Sequence, residues 1–363
     1  MTEEARLLQH PEEVLALAEA VRSAPWVGLD TEFMRERTYR PLLCLLQLSL
    51  PDAVVCVDPL AVDLAPLLAA LPQAQLVLGH ALRQDLEILR QEGGPIPTRV
   101  FDTQVAATLL GSDDQIGYAA LCAEELQVVI DKTATRTDWA ARPLSAEQLR
   151  YAANDVLHLP ALHQRLAARL EERGRSAWLQ EDCARLAEIA RTTDGLEQAQ
   201  ARLDHAHRLP IPAQKALAGL LAWREQVAAA RNRPRQWIVP DEALLRVAAR
   251  LPKNAQDVRA IKGLTPPVLR RAEELAAAVQ AGVADPAPPP WRPRALLSAE
   301  EQQRLDKALA VVRQHATTLG IPASWLAPRR LIEQWVRGQP VPTGWRLSVL
   351  EDALSGIRKT SAA

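Results

Sequence analysis

The sequence predicts an α/β fold for the first part of the chain and an all-α fold for the rest. Three observations support this prediction. Short apolar runs with strand character alternate with helical segments as far as about residue 172. After residue 180 the apolar residues recur almost wholly at helical spacing. The two parts also differ in charge, since residues 1–204 carry 19 Lys+Arg and 31 Asp+Glu, whereas residues 205–363 carry 24 and 13.

The length of 363 residues and the hydrophobic content of 48% exceed what one hydrophobic core usually holds, so two or three domains are expected. A proline-rich stretch after residue 283 has the composition of a stiff linker. The predicted organisation is an α/β domain with trailing helices at 1–204, a helical domain at 205–283, a linker at 284–294 and a second helical domain at 295–363.

Within the α/β part, each element is predicted from its periodicity and its flanking turn residues. Two strands separated only by the turn Pro51-Asp52 must be antiparallel neighbours, so the sheet is of mixed direction. The predicted elements, in order, are helix 5–22, strands 26–32, 42–50 and 53–57, helix 63–71, strand 75–79, helix 81–92, strand 99–102 and helices through 172.

Composition excludes several classes of protein. No apolar run approaches the roughly 18 residues that a membrane-spanning helix needs, and the first residues lack the basic region of a signal peptide. The cysteines have no metal-site spacing, which favours buried free thiols over disulfides or zinc. These four residues are Cys44, Cys56, Cys122 and Cys183. A cytoplasmic protein without membrane association is therefore expected.

The strand at 26–32 ends in two carboxylates, Asp30 and Glu32. Because strand side chains alternate, both point to the same side, where their oxygens could share hard cations. A solvated loop is the alternative interpretation of this short pattern. The metal interpretation therefore depends on further ligands elsewhere in the chain.

Three more side chains could complete such a site. Asp85 follows an apolar strand and lies about one turn into a helix. Tyr151 and Asp155 are four residues apart on another predicted helix, so both emerge on one face. Hydrolysis of a phosphodiester requires charge stabilisation at the attacking and leaving oxygens, which two metals roughly 4 Å apart provide. Four carboxylates can hold two cations, and Tyr151 can orient a water. Taken singly, each residue could instead be a surface or packing residue.

These residues carry a family resemblance. Asp30-x-Glu32, Asp85 and Tyr151-x-x-x-Asp155 match in order the exonuclease motifs of the DEDD superfamily, in its tyrosine-bearing branch. The segments 29–39, 46–48 and 135–144 look more specifically like bacterial ribonuclease D. Further along, the chain resembles a pair of HRDC domains, the second more diverged. The matching segments are 222–225, 231–235 and 261–264 for the first, and 324–331 and 344–346 for the second.

The resemblance implies a ribonuclease H-like exonuclease domain and a 3′-to-5′ exoribonuclease that releases nucleoside 5′-monophosphates from structured RNA, notably tRNA precursors. It implies two divalent cations, Mg²⁺ or Mn²⁺, as cofactors. It places Asp30, Glu32, Asp85 and Asp155 at the metal positions and Tyr151 where the nucleophile is oriented. Glu32 would also lie near the terminal 3′-hydroxyl. One departure is visible, because Ala81 follows His80 where many relatives have asparagine.

Candidate RNA contacts follow from charge and position rather than from a base-reading motif. The arginines after the first motif either line the RNA path or balance nearby acids, and Trp223 and Trp237 either stack on bases or fill a helical core. The basic tail is either an RNA surface or a solvated basic face. The predicted contacts are Thr31, Phe33, Arg35, Arg37, His80, Arg231, Arg233 and Arg235.

Two other functions compete with this one. The same carboxylates serve DNA exonucleases, and a site that reads the 2′-hydroxyl would separate RNA from DNA. An inert RNA-binding scaffold is the second alternative, and the presence of all four acids and the tyrosine argues against it. The sequence leaves the oligomeric state open.

Overall fold

The structure is a computed structural model of the chain, and it describes residues 6–130, 137–192, 195–291, 296–339 and 343–359. Contacts divide the chain into two compact units. The sheet unit comprises Met1–Phe33, Leu43–Arg191 and Leu297–Ala363, and the helical unit comprises Met34–Leu42 and Thr192–Leu296. The domain boundaries predicted from the sequence, at residues 204, 283 and 294, stay a prediction.

The sheet unit is built on six strands in the order β1-β4-β3-β2-β5-β6. β1 pairs with β4 in parallel, β5 pairs in parallel with both β2 and β6, and β3 runs antiparallel to β4. The prediction of a mixed α/β sheet is therefore confirmed. The strands are β1 Arg6–Leu8, β2 Val27–Met34, β3 Leu42–Leu50, β4 Ala53–Val57, β5 Val77–Gly79 and β6 Val100–Asp102.

Helices cover this sheet and share one hydrophobic core with it. Helices α16 to α19, from the end of the chain, contribute Leu305, Val312, Leu326, Ile332 and Leu350 to that core. The helices of the sheet unit are α1 Pro11–Ser23, α2 Ala65–Ala70, α3 Arg83–Gln91, α4 Thr103–Leu110, α5 Tyr118–Leu126, α6 Ala146–Leu157, α7 Leu159–Glu172, α8 Ser176–Thr192, α16 Ala299–Leu319, α17 Ala323–Leu326, α18 Arg329–Val336 and α19 Trp345–Lys359.

The helical unit has a core of its own. Its longest helix, α10, packs closely against α15 because both have glycine at the contact: a Cβ on Gly219 would lie 2.5 Å from the Ala278 carbonyl oxygen. Its helices are α9 Gly195–Arg202, α10 Ile211–Arg231, α11 Arg235–Ile238, α12 Asp241–Arg250, α13 Ala255–Arg259, α14 Pro266–Leu269 and α15 Ala272–Ala284.

The start of the chain differs from its prediction. A helix was expected over 5–22, whereas the structure forms β1 at Arg6–Leu8 and begins α1 at Pro11. Pro11 suits the first helical turn, and Glu13 accepts the backbone N–H of His10 there. β1 has only three residues, which is too short for a periodic signal, and its pairing with β4 fixes it.

All four cysteines are buried free thiols, as the sequence suggested. Within the described ranges, no helix is both long and apolar enough to cross a membrane.

Candidate active site

The end of β2 brings Asp30 and Glu32 into one cluster with Asp155 from α6. One carboxylate oxygen of each lies within 4.8 Å of the others, and all three residues are half-buried. Partial burial leaves their oxygens accessible to a bound group while shielding them from bulk water. The structure thus places together three of the residues that the sequence predicted.

Asp85, in the first turn of α3, is buried beside them. Oγ1 of Thr31, the residue between the two β2 acids, donates a 2.5 Å hydrogen bond to Oδ1 of Asp85. The charge of Asp85 also raises the pKa values of Asp30, Glu32 and Asp155. Asp85 therefore belongs to the same site, held there by a threonine.

A buried carboxylate that sequence reasoning missed shapes the turn before α3. Asp102, at the end of β6, accepts hydrogen bonds from the backbone N–H groups of Ala81 (3.0 Å) and Leu82 (2.8 Å). It also caps α4 through the N–H of Gln104. Ala81 has a φ of 55°, a left-handed conformation that these bonds stabilise. An aspartate directly before a predicted helix was the available signal.

Helix α6 presents Tyr151 and Asp155 on one face. Its start is fixed by Ser145, which caps the helix and exchanges hydrogen bonds with Gln148. Its end is tied to β3, because Ser49 Oγ donates to the Val156 carbonyl at 2.9 Å. The Tyr151 hydroxyl hydrogen-bonds the Asp155 carboxylate. The predicted pairing of the two side chains is thus present as a direct contact.

The ring of Tyr151 packs against Trp139, with ring centroids 6.1 Å apart. Trp139 is buried, and its carbonyl accepts a 2.7 Å hydrogen bond from Arg142. Arg142 is itself ion-paired with Asp58 through two bonds of 2.7 and 2.6 Å. Trp139 and Arg142 of the 135–144 motif therefore hold a ring against which Tyr151 packs. Its first residues, Thr135 and Arg136, lie outside the described residues.

Burial, and for most of these acids the charge of their neighbours, raises the pKa values of the cluster. Burial, together with the charges of Asp155 and Asp85, raises the pKa of Glu32 to about 8. Burial raises the pKa of Asp85 to about 7 against the hydrogen bond from Thr31, and that of Asp155 to about 7 against the bond from Tyr151. Burial and the neighbouring acids raise the pKa of Asp30 as well. The cluster is thus short of positive charge.

Divalent cations fit this donor set. Hard cations such as Mg²⁺ and Mn²⁺ prefer carboxylate oxygens, and Asp30, Glu32 and Asp155 already place one oxygen each within 4.8 Å of the others. A cation would also favour the charged form of these acids, against the burial and the mutual repulsion that raise their pKa values. The site therefore has the geometry and the charge deficit of a divalent-metal site, which agrees with the general use of divalent metals by DEDD exonucleases.

Three of the predicted RNA contacts lie near this cluster and have partners within the protein. Thr31 is buried and donates to Asp85, and Phe33 packs against the core. The His80 ring nitrogens contact Thr103 Oγ1 at 2.9 Å and the Ile116 carbonyl at 3.0 Å. Their contact with RNA stays a prediction.

The remaining predicted contacts lie in the helical unit. Segment 34–42 is fixed there by Tyr39, whose N–H donates to Asn232 Oδ1 at 3.1 Å and whose hydroxyl donates to Glu225 at 2.9 Å. Arg235 pairs with Glu225 at 2.6 Å and lies over the Tyr39 ring. Of the arginines in segment 34–42 and next to Asn232, the exposed ones are Arg35, Arg37, Arg40, Arg231 and Arg233.

The two tryptophans predicted either to stack on bases or to fill a core, Trp223 and Trp237, differ in exposure. Trp223 is partly buried against the core of the helical unit, and Arg271 lies over its ring, so packing describes it best. Trp237, in α11, is 59% exposed. Of the two, only Trp237 offers a ring face to a ligand at the surface.

Comparisons with known proteins agree with this geometry. Residues 6–171 match the family model of a 3′-5′ exonuclease, and residues 213–279 match that of the HRDC domain. The chain is 37% identical to ribonuclease D of Granulibacter bethesdensis, over 96% of this chain and 91% of that protein. It is 36% identical to ribonuclease D of Xanthomonas oryzae pv. oryzae, over 98% and 99%.

The fold is also similar to a solved structure. The crystal structure of Escherichia coli RNase D, an exoribonuclease involved in structured RNA processing, superposes with a TM-score of 0.88 at 29% sequence identity. The superposition covers 99% of both chains. The similarity therefore includes the helical regions as well as the sheet.

Proposed function

The chain belongs to the ribonuclease D family and is a 3′-to-5′ exoribonuclease, and we propose that it trims the 3′ ends of structured RNA, tRNA precursors in particular, to release nucleoside 5′-monophosphates. The single observation that carries the proposal is the joining of Asp30, Glu32 and Asp155 into one cluster beside Asp85 and Tyr151. The role of the E. coli protein in structured RNA processing supports the choice of substrate.

The proposed cofactors are two divalent cations, Mg²⁺ or Mn²⁺, held by the four acidic residues. When bound, they supply an acidified water and stabilise charge on the phosphate. The carboxylates contribute fixed negative charge and orientation, and each must be deprotonated to act as a ligand. The hydrogen bonds from Thr31 to Asp85 and from Tyr151 to Asp155 help to orient those two carboxylates.

Tyr151 is proposed to orient the attacking water. A phenol with a pKa near 10 is a poor base at neutral pH, so its contribution is a hydrogen bond of fixed direction. The hydrogen bond to Asp155 and the packing against Trp139 limit the freedom of the ring. A restricted donor of this kind reduces the reorganisation needed when the water attacks the phosphate.

The helical unit is proposed to bind the RNA backbone. Asn232, between Arg231 and Arg233, accepts the N–H of Tyr39 and so brings the two arginines next to the loop that carries Arg37. These exposed arginines, from distant parts of the sequence, are proposed to form one basic surface, with Trp237 close by in the chain as a stacking face. Arg235 supports this surface through Glu225 and Tyr39, and Arg35 belongs to the same loop.

The test compares matched RNA and DNA oligonucleotides with free 3′ ends in Mg²⁺. Faster digestion of RNA, with 5′-monophosphates as products, is expected, whereas faster digestion of DNA would refute the substrate proposal. The variant Asp30→Asn should lose turnover and keep RNA binding. Retained nuclease activity in that variant would contradict the assignment of the cluster.

We place the protein in the cytoplasm. Four free, buried thiols are typical of a reducing compartment, and a location of the tagged full-length chain in an oxidising compartment would contradict this.

A further inference from the structure

Gln47 lies in the middle of β3 and is fully buried, with 0% of its surface exposed. Among the residues that the structure describes, neither its Nε2 nor its Oε1 has a hydrogen-bond partner. Burying an unpaired amide costs stability, and an apolar side chain of the same length would avoid that cost. Packing alone therefore does not account for a glutamine at this position.

One of the two strands beside β3 is β2, which carries Asp30 and Glu32. β2 ends at Met34 and β3 begins at Leu42, so only seven residues connect them. Two neighbouring parallel strands need a crossover of about a dozen residues or more. β2 and β3 are therefore antiparallel.

Their register follows from one close contact. A Cβ built on Gly28 would lie 2.1 Å from Ser49 Oγ, so these two residues are cross-strand neighbours on the same face. In an antiparallel pair, the residue two positions after a paired residue on one strand lies opposite the residue two positions before its partner on the other. Since Gly28 lies opposite Ser49, Asp30 lies opposite Gln47. Gln47 is thus the cross-strand neighbour of Asp30, at a Cβ separation of roughly 5 Å.

The face they share is the one that carries the active site. Ser49 Oγ donates to the Val156 carbonyl of α6, the helix that holds Asp155. Gln47 is two residues from Ser49 on β3 and therefore points to the same side. Its amide is buried on the side of the sheet where the acidic cluster forms.

We propose that Gln47 is a positioning residue of the cation site: its Nε2, which has no hydrogen-bond partner among the described residues, donates to the Asp30 carboxylate when a cation is bound. Two other acids of the cluster already have a side-chain donor of this kind, Thr31 for Asp85 and Tyr151 for Asp155. A donor on Asp30 fixes which of its oxygens faces the cation. This inference rests on the proposed function.

The experiment measures Mn²⁺ binding to the full-length protein by electron paramagnetic resonance and titration calorimetry. Replacing Gln47 by methionine keeps the length of the side chain and removes both polar atoms. We expect Gln47→Met to weaken Mn²⁺ binding by about 10- to 100-fold, the usual effect of losing a residue that orients a ligand. Its melting temperature without cations should stay at the wild-type value or rise. A dissociation constant within twofold of wild type would overturn the proposal.

Two controls interpret the result. Gln214 is another buried glutamine, with an unpaired Oε1, in the helical unit, and Gln214→Met should leave Mn²⁺ binding unchanged. Asp155→Asn should abolish binding and so locate the cation at this cluster. If the wild-type protein binds no Mn²⁺, the proposed function fails, and the inference fails with it. If the wild type binds and only Gln47→Met has no effect, the inference alone fails.

A measurement on the unaltered protein covers the case in which Gln47→Met does not fold. In protein labelled with ¹⁵N-glutamine, the side-chain amide resonances of Gln47 should shift on saturation with Mg²⁺, while those of Gln214 should not. Amide resonances of Gln47 that stay in place would overturn the proposal.

Discussion

Oγ1 of Thr31 donates a 2.5 Å hydrogen bond to Oδ1 of Asp85 across a buried contact between β2 and α3. The bond lowers the pKa of Asp85, which burial raises to about 7. It therefore keeps this carboxylate closer to the charged state that a cation needs. Thr31 lies between two predicted metal ligands and supports a third.

Replacing Thr31 by valine should impair the site without altering its shape. The variant keeps the volume of the side chain but leaves a buried carboxylate oxygen unpaired, which costs about 1–3 kcal/mol. We expect kcat/KM in Mg²⁺ to fall about tenfold or more and the pKa of Asp85 to rise. Rate against pH and a carboxyl NMR titration measure these effects. Thr31→Ser keeps the hydroxyl, so an equal loss in that variant would contradict the explanation.

Tyr151→Phe should lower kcat by at least about 100-fold, because the water loses its oriented hydrogen-bond partner. Cation affinity should change little, since the carboxylates remain. Single-turnover rates and Mn²⁺ binding separate the two effects. Trp139→Leu removes the ring that packs on Tyr151 and should give a smaller loss. A full-rate Tyr151→Phe enzyme would exclude any role of the phenol.

The stability of the cation-free protein should fall as the pH rises. The pKa values of Glu32, Asp85 and Asp155 in the folded state are about 8, 7 and 7, whereas unfolded carboxyls titrate near 4. Between pH 5 and 8 the folded state therefore binds more protons than the unfolded state, and its stability is lost as these protons dissociate. Melting curves in EDTA should show this decline. A flat melting temperature across this range would contradict the pKa shifts.

Binding of Mg²⁺ or Mn²⁺ at pH 7 should release protons, because the ligands must be charged. Calorimetric titrations in two buffers of different ionisation enthalpy give the number released. The added cation should also reduce the pH dependence of melting. No difference between the two buffers would mean that the acids are already ionised.

The salt dependence of RNA binding tests the basic surface. Arg231→Ala with Arg233→Ala should weaken binding and reduce the slope of log K against log salt by about 1 to 2, if each arginine contacts one phosphate. Arg259→Ala, an exposed arginine on α13, is the matched control and should have less effect. An unchanged slope in the double variant would remove these two arginines from the RNA path.

Within the sheet unit, a buried ion pair fastens the last helices to α8. Asp182, on α8, accepts two hydrogen bonds from Arg346 at 2.6 and 3.0 Å and two more from the indole N–H groups of Trp325 and Trp345. Asp182→Ala would leave the buried Arg346 without its partner, which costs about 3–5 kcal/mol. Denaturant unfolding should show this loss. Arg185→Ala removes a more exposed partner of Asp182 and should cost much less.

Much of the sheet was predictable because its signals are local. The antiparallel pair β3 and β4 follows from apolar runs on either side of Pro51-Asp52, and Asp85, Tyr151 and Asp155 follow from order and spacing. β1 was missed because three residues carry no period. Three long-range contacts were not predictable, because such pairings depend on the tertiary fold. They join Thr31 to Asp85, Asp102 to Ala81 and Arg142 to Asp58, over separations of 54, 21 and 84 residues.

The assignment of segment 34–42 to the helical unit has a consequence for protein engineering. A chimaera that exchanges the helical unit between two ribonucleases of this family would cut the contacts of Tyr39 with Glu225 and Asn232 if the graft began after residue 192. The graft must therefore be discontinuous and include the loop that follows β2. The units that evolution or a designer can interchange here are not consecutive stretches of sequence.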